Sequence, residues 1–408
     1  MASPSSLSTV PWYRGRIRAW AYLSALSFRE LSTLYLAIFF LFSIFGFYDD
    51  LTNTGAKSQI WIVLVVAVLS GGYAVLYPWA LIYKTRAHLI TIAVFNSVTG
   101  IALPNWMRAS SHHIPAGAHL SSIDFDANGI LVCVIASYCC FVGFIRKQAT
   151  NAFRIQNELD LAHSIQRTLV PPITTSLSGY DLHGVSIPSE KVGGDLVDVV
   201  ALDNGGTVAY VADVSGHGLQ AGILMGMIKT AARTILLEDF ADPSQLLYAL
   251  CDRLNRALPG VKEAHMYATL SALYLAPNGR VHYTLAAHPA ILHYQAATRS
   301  VTQLGCEQLP VGLLPVSDFV SYSLEMQPGD ILAISTDGIL EACDKTEEEF
   351  GSDRVAALLD READSANLEQ TSEDIMKAVQ AFGKQVDDQT LLLVRRQSGK
   401  AAERDIAA

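Results

Sequence analysis

The sequence predicts an all-α, membrane-spanning front part followed by an α+β domain built from antiparallel hairpins. Three observations carry this expectation. Four apolar stretches, at about 31–48, 60–83, 88–107 and 130–145, dominate the front part. Each approaches the roughly 20 residues that cross a ~30 Å hydrocarbon core. After about residue 173, short apolar runs alternate with Gly- and Asn-rich turn signals, which is hairpin patterning. Carboxylates then recur at the ends of those runs.

Composition agrees. Only 17% of the 408 residues are charged and 50% are hydrophobic, whereas soluble domains average about 25% charged. The formal charge of -10 and the lack of a basic, aromatic-rich patch exclude a general nucleic-acid binder. Six cysteines occur without a C-x-x-C pair, so neither a disulfide framework nor a zinc site is expected.

In the front part, Arg14, Arg16, Arg18 and Arg29 precede the first span. Lys84 and Arg86 lie between the second and third, and Arg146, Lys147 and Arg154 follow the fourth. The other two loops carry Asp49, Asp50, Asp124 and Asp126, with only Lys57 and Arg108. The basic sides agree on an N-terminus and a C-terminal domain that are both cytoplasmic, in a multi-pass protein of the inner (cytoplasmic) membrane. Arg29 and Glu30 interrupt any cleavable signal peptide. No Asp, Glu, Lys, Arg or His lies near the centre of a span, so the region reads as an anchor or sensor rather than a transporter. His112, His113 and His119 fall in one loop and read as solvated rather than metal-binding.

A connector follows at 148–172. Ile155, Leu159, Ala162, Ile165 and Leu169 recur at helical spacing until Pro171-Pro172 stops the helix. Two readings stand: a helix packed on its own domain, or a short dimerising seam joining membrane to domain. The expected division is therefore a membrane region at 1–147, the connector, a domain at 173–397 and a tail at 398–408.

Within the domain, Asp195 opens an apolar run that ends at Asp203-Asn204-Gly205-Gly206, a strong hairpin turn. The return strand ends at Asp213. Folding about that turn sets Asp195 and Asp213 opposite each other, and cross-strand neighbours sit about 5 Å apart. Two carboxylates that close repel unless a cation lies between them. A second pair follows the same logic: the run 331–336 ends at Asp337-Gly338, and Asp387-Asp388 opens the run 390–394. If those strands are antiparallel neighbours, Asp337 and Asp388 share one sheet edge. Four carboxylates then converge on an all-oxygen site suited to Mg²⁺ or Mn²⁺. Gly193-Gly194 reads as a bulge or a phosphate cradle. Pro277-Asn278-Gly279-Arg280 marks another hairpin, Asp242-Pro243 starts a helix, and Thr371-Ser372-Glu373-Asp374 caps a later one.

Taken in order, these pieces resemble the SpoIIE/RsbU-type serine phosphatases, bacterial relatives of the metal-dependent PPM class. The matching segments are 193–198 (Gly-Gly-Asp-x-x-Asp), 213–218 (Asp-Val-Ser-Gly-x-Gly), 286–289, 329–332, 336–341 (Thr-Asp-Gly-x-x-Glu), 350–351 and 387–390. Ile165-Gln166 through Leu169 and Pro171 is similar to the family's lead-in. The resemblance spans about 154–396 and leaves out the membrane part. It departs at Ala287, where the family usually has Gly, and at Tyr267-Ala268-Thr269. The resemblance implies a PPM-type α/β/β/α sandwich. It implies two Mn²⁺ or Mg²⁺ ions held by Asp195, Asp213, Asp337 and Asp388, with the Val214 carbonyl as a further ligand. Asp198, Gly194 and Gly338 are supporting candidates. The implied activity is dephosphorylation of phosphoserine or phosphothreonine on a STAS-type regulator such as an anti-sigma factor antagonist. The expected partners are that regulator, the lipid bilayer and, through the connector helix, a second copy. The competing expectation is a membrane receptor whose phosphatase-like domain only binds.

Overall fold

The computed structural model describes residues 28–52, 58–83, 103–111, 119–240, 242–315, 318–363, 365 and 367–398. The chain divides into two compact units, Met1–Arg154 and Ile155–Ala408.

The first unit contains α1 (Phe28–Thr52), α2 (Ile60–Tyr83), α3 (Leu103–Ala109) and the start of α4 (His119–Leu169). Phe47, Ile62, Val63, Val66, Ala67 and Cys133 form its buried cluster. Gly46 lets α1 and α2 approach closely, since a Cβ there would sit 2.5 Å from the Ala67 nitrogen. The first two expected spans coincide with α1 and α2. Of the third, residues 88–102 lie outside the described residues, as do His112 and His113; His119 opens α4. The fourth span and the connector are not separate elements. Between Arg146 and Val170 there is neither Gly nor Pro, so composition changes there while the helix continues to Leu169. Two described helices are long and apolar enough to cross a membrane: Arg29–Thr52 and, within α4, Ile123–Leu169.

The second unit holds two antiparallel sheets. One has the order β1-β2-β11-β10-β7-β8 and the other β3-β4-β5-β6-β9. The strands are β1 (Ile173–Leu177), β2 (Tyr180–Ile187), β3 (Leu196–Ala201), β4 (Thr207–Val214), β5 (Ala268–Leu275), β6 (Arg280–Ala286), β7 (Ile291–Gln295), β8 (Ser300–Leu304), β9 (Tyr322–Glu325), β10 (Ile331–Ser335) and β11 (Gln389–Arg396). Helices α5 (Leu219–Ile235) and α6 (Pro243–Ala257) pack with the second sheet. Helices α8 (Gly351–Glu362) and α9 (Leu368–Phe382) pack with the first, and one turn of helix, α7 (Asp337–Leu340), follows β10.

Strand periodicity shows how the layers share the core. In β10, Leu332 and Ile334 join the cluster between the sheets, while Ile331 and Ala333 join the cluster under α8 and α9. β11 divides the same way, with Leu392 and Val394 against Leu391 and Leu393. Successive side chains point to opposite faces, so a strand buried on both faces reads as one apolar run. This is the α/β/β/α arrangement.

Local turn chemistry holds the hairpins. Gly205 (φ 79°) closes the β3–β4 turn, and Gly279 (φ 98°) closes the β5–β6 turn. Asp242 caps α6 by accepting the Ser244 N–H at 3.1 Å. The expected cap at 371–374 is corrected: α9 begins at Leu368, and Asn367 caps it by accepting the Glu369 N–H at 2.9 Å. Thr371 and Ser372 are buried inside the helix instead. Thr371, Ser372 and Asp374, all favoured capping types, obscured the true start.

Candidate metal centre

The β3–β4 hairpin pairs Leu196 with Ala212, so the next rung sets Asp195 against Asp213. In the other sheet, β10 pairs with β11 and Ser335 faces Leu391. The Thr336 N–H donates to the Thr390 carbonyl at 3.1 Å; Asp337, one residue after Thr336, and Asp388, two before Thr390, leave the same sheet edge. The two pairs come from different sheets and meet there. Asp195 is buried and its carboxyl is held well above the usual range, first by burial and then by the Asp213 charge. Burial and the Asp337 charge push Asp213 up to about 7. Asp337 is raised by burial and by Asp387. Glu341 is raised by burial and by Asp337.

Backbone and hydroxyl donors orient these groups. The Asp388 carboxylate accepts the Gly194 N–H at 2.6 Å, the Ser189 N–H at 2.7 Å and the Ser189 hydroxyl at 3.1 Å. The Thr336 hydroxyl donates to Asp195 at 2.9 Å. The glycines are there for space. A Cβ on Gly193 would lie 2.2 Å from Asp388 Oδ2, and one on Gly194 would lie 2.8 Å from the Val214 carbonyl oxygen. A Cβ on Gly338 would lie 2.0 Å from the Asp388 carbonyl oxygen. The phosphate-cradle reading of Gly193-Gly194 is therefore corrected: the Gly194 N–H is consumed by Asp388.

Asp198 also needs correction. It accepts two bonds from Arg233, at 2.7 and 2.9 Å, and one from the Tyr210 hydroxyl at 3.0 Å. Lys229 lies 3.2 Å away. Burial alone would raise its carboxyl, but Arg233 and Lys229 outweigh burial and hold it below the usual range. Its lone pairs are committed to fixing α5 on β3 rather than to a cation site. Asp330, in the Gly-Asp landmark before β10, is structural too. It accepts the Ala296 and Gln327 N–H groups at 2.9 and 2.8 Å beside His293. His288 is buried, and burial pushes its imidazole down to about 3, so it is neutral. It bonds the hydroxyl of Thr269, the residue paired with Asp213, at 2.9 Å. Ala287 adopts φ 54°, the left-handed region that favours glycine.

Among the described residues, no three His, Cys, Asp or Glu side chains already stand as a closed ligand shell. The donor set nevertheless fits a hard divalent ion: oxygen atoms only, several carboxylates, and a backbone carbonyl at Val214. Ser189, Thr336, Gln389 and Gln166 escaped the sequence reading as supporting groups. Thr336 carried a signal by adjoining Asp337, and Gln166 by standing in the lead-in that resembles the family's.

Residues 203–397 match the sequence profile of the family described as Stage II sporulation protein E (SpoIIE). Over those residues the second unit is similar to the SpoIIE family. The match includes Asp213, Asp337 and Asp388, while Asp195 lies just upstream. The SpoIIE-type domain is 27% identical over 197 residues to phosphoserine phosphatase RsbU of Bacillus subtilis, covering 48% of this chain and 56% of RsbU. It is 25% identical over 190 residues to phosphoserine phosphatase RsbP of the same organism, covering 46% of each. The chain thus spans about half the length of these curated relatives. The solved SiaA-PP2C domain of Pseudomonas aeruginosa shares the fold at a TM-score of 0.50 and 21% identity, over 60% of this chain and 99% of that one. The SpoIIE-type domain accordingly has the PP2C (PPM) architecture of two antiparallel sheets between helices.

Proposed function

We propose that this chain is a membrane-anchored, metal-dependent protein serine/threonine phosphatase acting on a phosphorylated STAS-type regulator, such as an anti-sigma factor antagonist. The observation that carries the reading is the meeting of Asp195, Asp213, Asp337 and Asp388 in a domain similar to this family, with three of the four carboxyls raised by burial and by one another. Those four side chains and the Val214 carbonyl would hold two Mn²⁺ or Mg²⁺ ions. Bound there, the ions would supply an activated water and neutralise the phosphate oxygens. The chain's own residues do the preparing. Thr336 fixes Asp195, and Ser189 with Gly194 fixes Asp388, so the carboxylates are oriented before a substrate arrives. Burial of Asp195 and Asp388 keeps bulk water from screening them. No covalent phosphoenzyme is needed.

The substrate class rests on RsbU and RsbP, both phosphoserine phosphatases. Removing a phosphate takes away about two negative charges, which is enough to switch a regulator between partners. Membrane anchoring rests on the two long apolar helices and on their outward Leu, Phe, Val and Ile side chains, such as Leu41, Phe45, Val132 and Ile135. By the distribution of Arg and Lys, the domain faces the cytoplasm. Ile155 and Ile165 of the expected seam are exposed on the connector stretch of α4, and they would form the surface for a homodimer.

The test is phosphate release from a phosphoserine protein by the full chain in detergent, with Mn²⁺ and with EDTA. Release should require Mn²⁺ and vanish in folded Asp213→Ala and Asp388→Ala variants. Retained release in either variant would refute the site. Mn²⁺ binding without any release would instead mean a receptor module that binds and does not catalyse.

A further inference from the structure

The last turns of α4 read the loop that delivers the centre. Gln166 is 7% exposed, and its amide bonds both backbone polar groups of one residue. Gly193 N–H donates to Gln166 Oε1 at 2.9 Å, and Gln166 Nε2 donates to the Gly193 carbonyl at 3.2 Å. One turn earlier, His163 Nδ1 lies 2.6 Å from the Lys191 carbonyl. One turn before that, Asp160 pairs with the Lys191 ammonium. Residues 160, 163 and 166 share one helix face, so the three contacts run along it in step with the loop. On its other side the loop meets α5: a Cβ on Gly222 would fall 2.3 Å from Val192 Cγ1 and 3.3 Å from the Gly193 carbonyl oxygen.

Gly193 cannot carry a side chain, because Asp388 Oδ2 occupies that space. It therefore lacks the side-chain restriction that would limit its backbone, and a glycine is the freest residue in a chain. The next two residues supply the Gly194 N–H to Asp388 and the Asp195 carboxylate. Something must remove the freedom of Gly193, and the two buried bonds from Gln166 do so.

We propose that Gln166 is a positioning residue of the centre: its amide clamps the Gly193 peptide groups and so sets Asp195 and the Gly194 N–H against Asp388. The inference rests on the phosphatase reading above for what the centre binds. The clamp itself is a property of the metal-free chain.

The experiment compares the full chain with Gln166→Met, which keeps the shape and removes both bonds. Mn²⁺ affinity is read by calorimetry, and amide exchange of the segment 192–196 is read in EDTA. Two buried hydrogen bonds predict a Mn²⁺ affinity roughly tenfold to thirtyfold weaker. Exchange should be faster at 193–195, and turnover should recover at saturating Mn²⁺. Lys191→Ala, which removes only the exposed ion pair with Asp160, should bind Mn²⁺ like the parent. A Gln166→Met protein with a lower Tm but unchanged Mn²⁺ affinity and exchange would overturn the proposal, leaving Gln166 merely structural. Equal losses in Lys191→Ala would also overturn it, by assigning the effect to helix docking as a whole. A parent protein that binds no Mn²⁺ would sink the phosphatase reading, a different failure from an unaltered Gln166→Met.

Discussion

Gly338→Ala tests how tightly the centre is set. The new Cβ would lie 2.0 Å from the Asp388 carbonyl oxygen, 2.9 Å from its carbon and 3.1 Å from the Asp387 carbon. All three are backbone atoms, so no side chain can swing aside. Restoring ordinary contact requires a separation of more than about 1 Å between the α7 turn and the Asp387-Asp388 segment. The strands beyond are fixed by Thr336 N–H to the Thr390 carbonyl at 3.1 Å and by Thr390 N–H to the Thr336 hydroxyl at 3.0 Å. The strain must therefore open the gap between Asp337 and Asp388 themselves. Overpacking of this kind costs about 1–3 kcal/mol, which is roughly 2–12 °C in Tm for a domain of this size. Better helix propensity of Ala returns up to about 1 kcal/mol, so the Tm loss should fall in the lower half of that range. Function should suffer more, because a 1 Å misplacement costs roughly a hundredfold in rate. Phosphate release and Mn²⁺ titration of Gly338→Ala check this, with Gly260→Ala as control, since a Cβ at Gly260 meets nothing within 4 Å. A Gly338→Ala protein with the parent's Mn²⁺ affinity and turnover would refute the claim that these backbones set the carboxylate spacing.

Two other outcomes follow from the charges. Asp213 is raised to about 7 in the folded chain against an ordinary value of 3.8, so between those values the folded state binds more protons than the unfolded one. The contribution of this group to the stability of the metal-free protein should fall as pH rises from about 4 to about 7; Asp195 and Asp337 act in the same direction, and neutral His288 acts against them below about 6.5. Thermal melts in EDTA at pH 5 and pH 8 on the parent and on Asp213→Asn read it, and the same pH dependence in both would contradict it. Mn²⁺ must displace those protons, so its affinity should climb with pH and level off above about 7, with proton release measurable by calorimetry in buffers of different ionisation enthalpy. Asp198→Asn should lower Tm by several degrees, because Arg233 and Lys229 lose their buried partner. It should leave Mn²⁺ affinity intact, and a tenfold weaker affinity would return Asp198 to the ligand set.

What the sequence determined by itself is local. The Asp203–Gly206 turn fixes the β3–β4 register, and register alone puts Asp195 opposite Asp213. The antiparallel neighbourhood of Asp337 and Asp388 was legible as a condition, because each adjoins a strand of matching pattern. The apolar lengths of α1 and α2 were legible for the same reason: period and length are properties of a short window. Other features were decided only by tertiary structure. The two carboxylate pairs belong to different sheets, and the core shared by those sheets brings them together. Asp198 sits in a motif with Asp195, yet Arg233 and Lys229 from α5 claim it, and the spacing of 35 residues to Arg233 gives no warning. Ser189 reaches Asp388 across 199 residues, and Gln166 reaches Gly193 across 27. Sequence pattern reports which face a side chain takes. Which partner waits on that face is set by packing between elements, where burial makes each unpaired polar group costly and so selects a single arrangement.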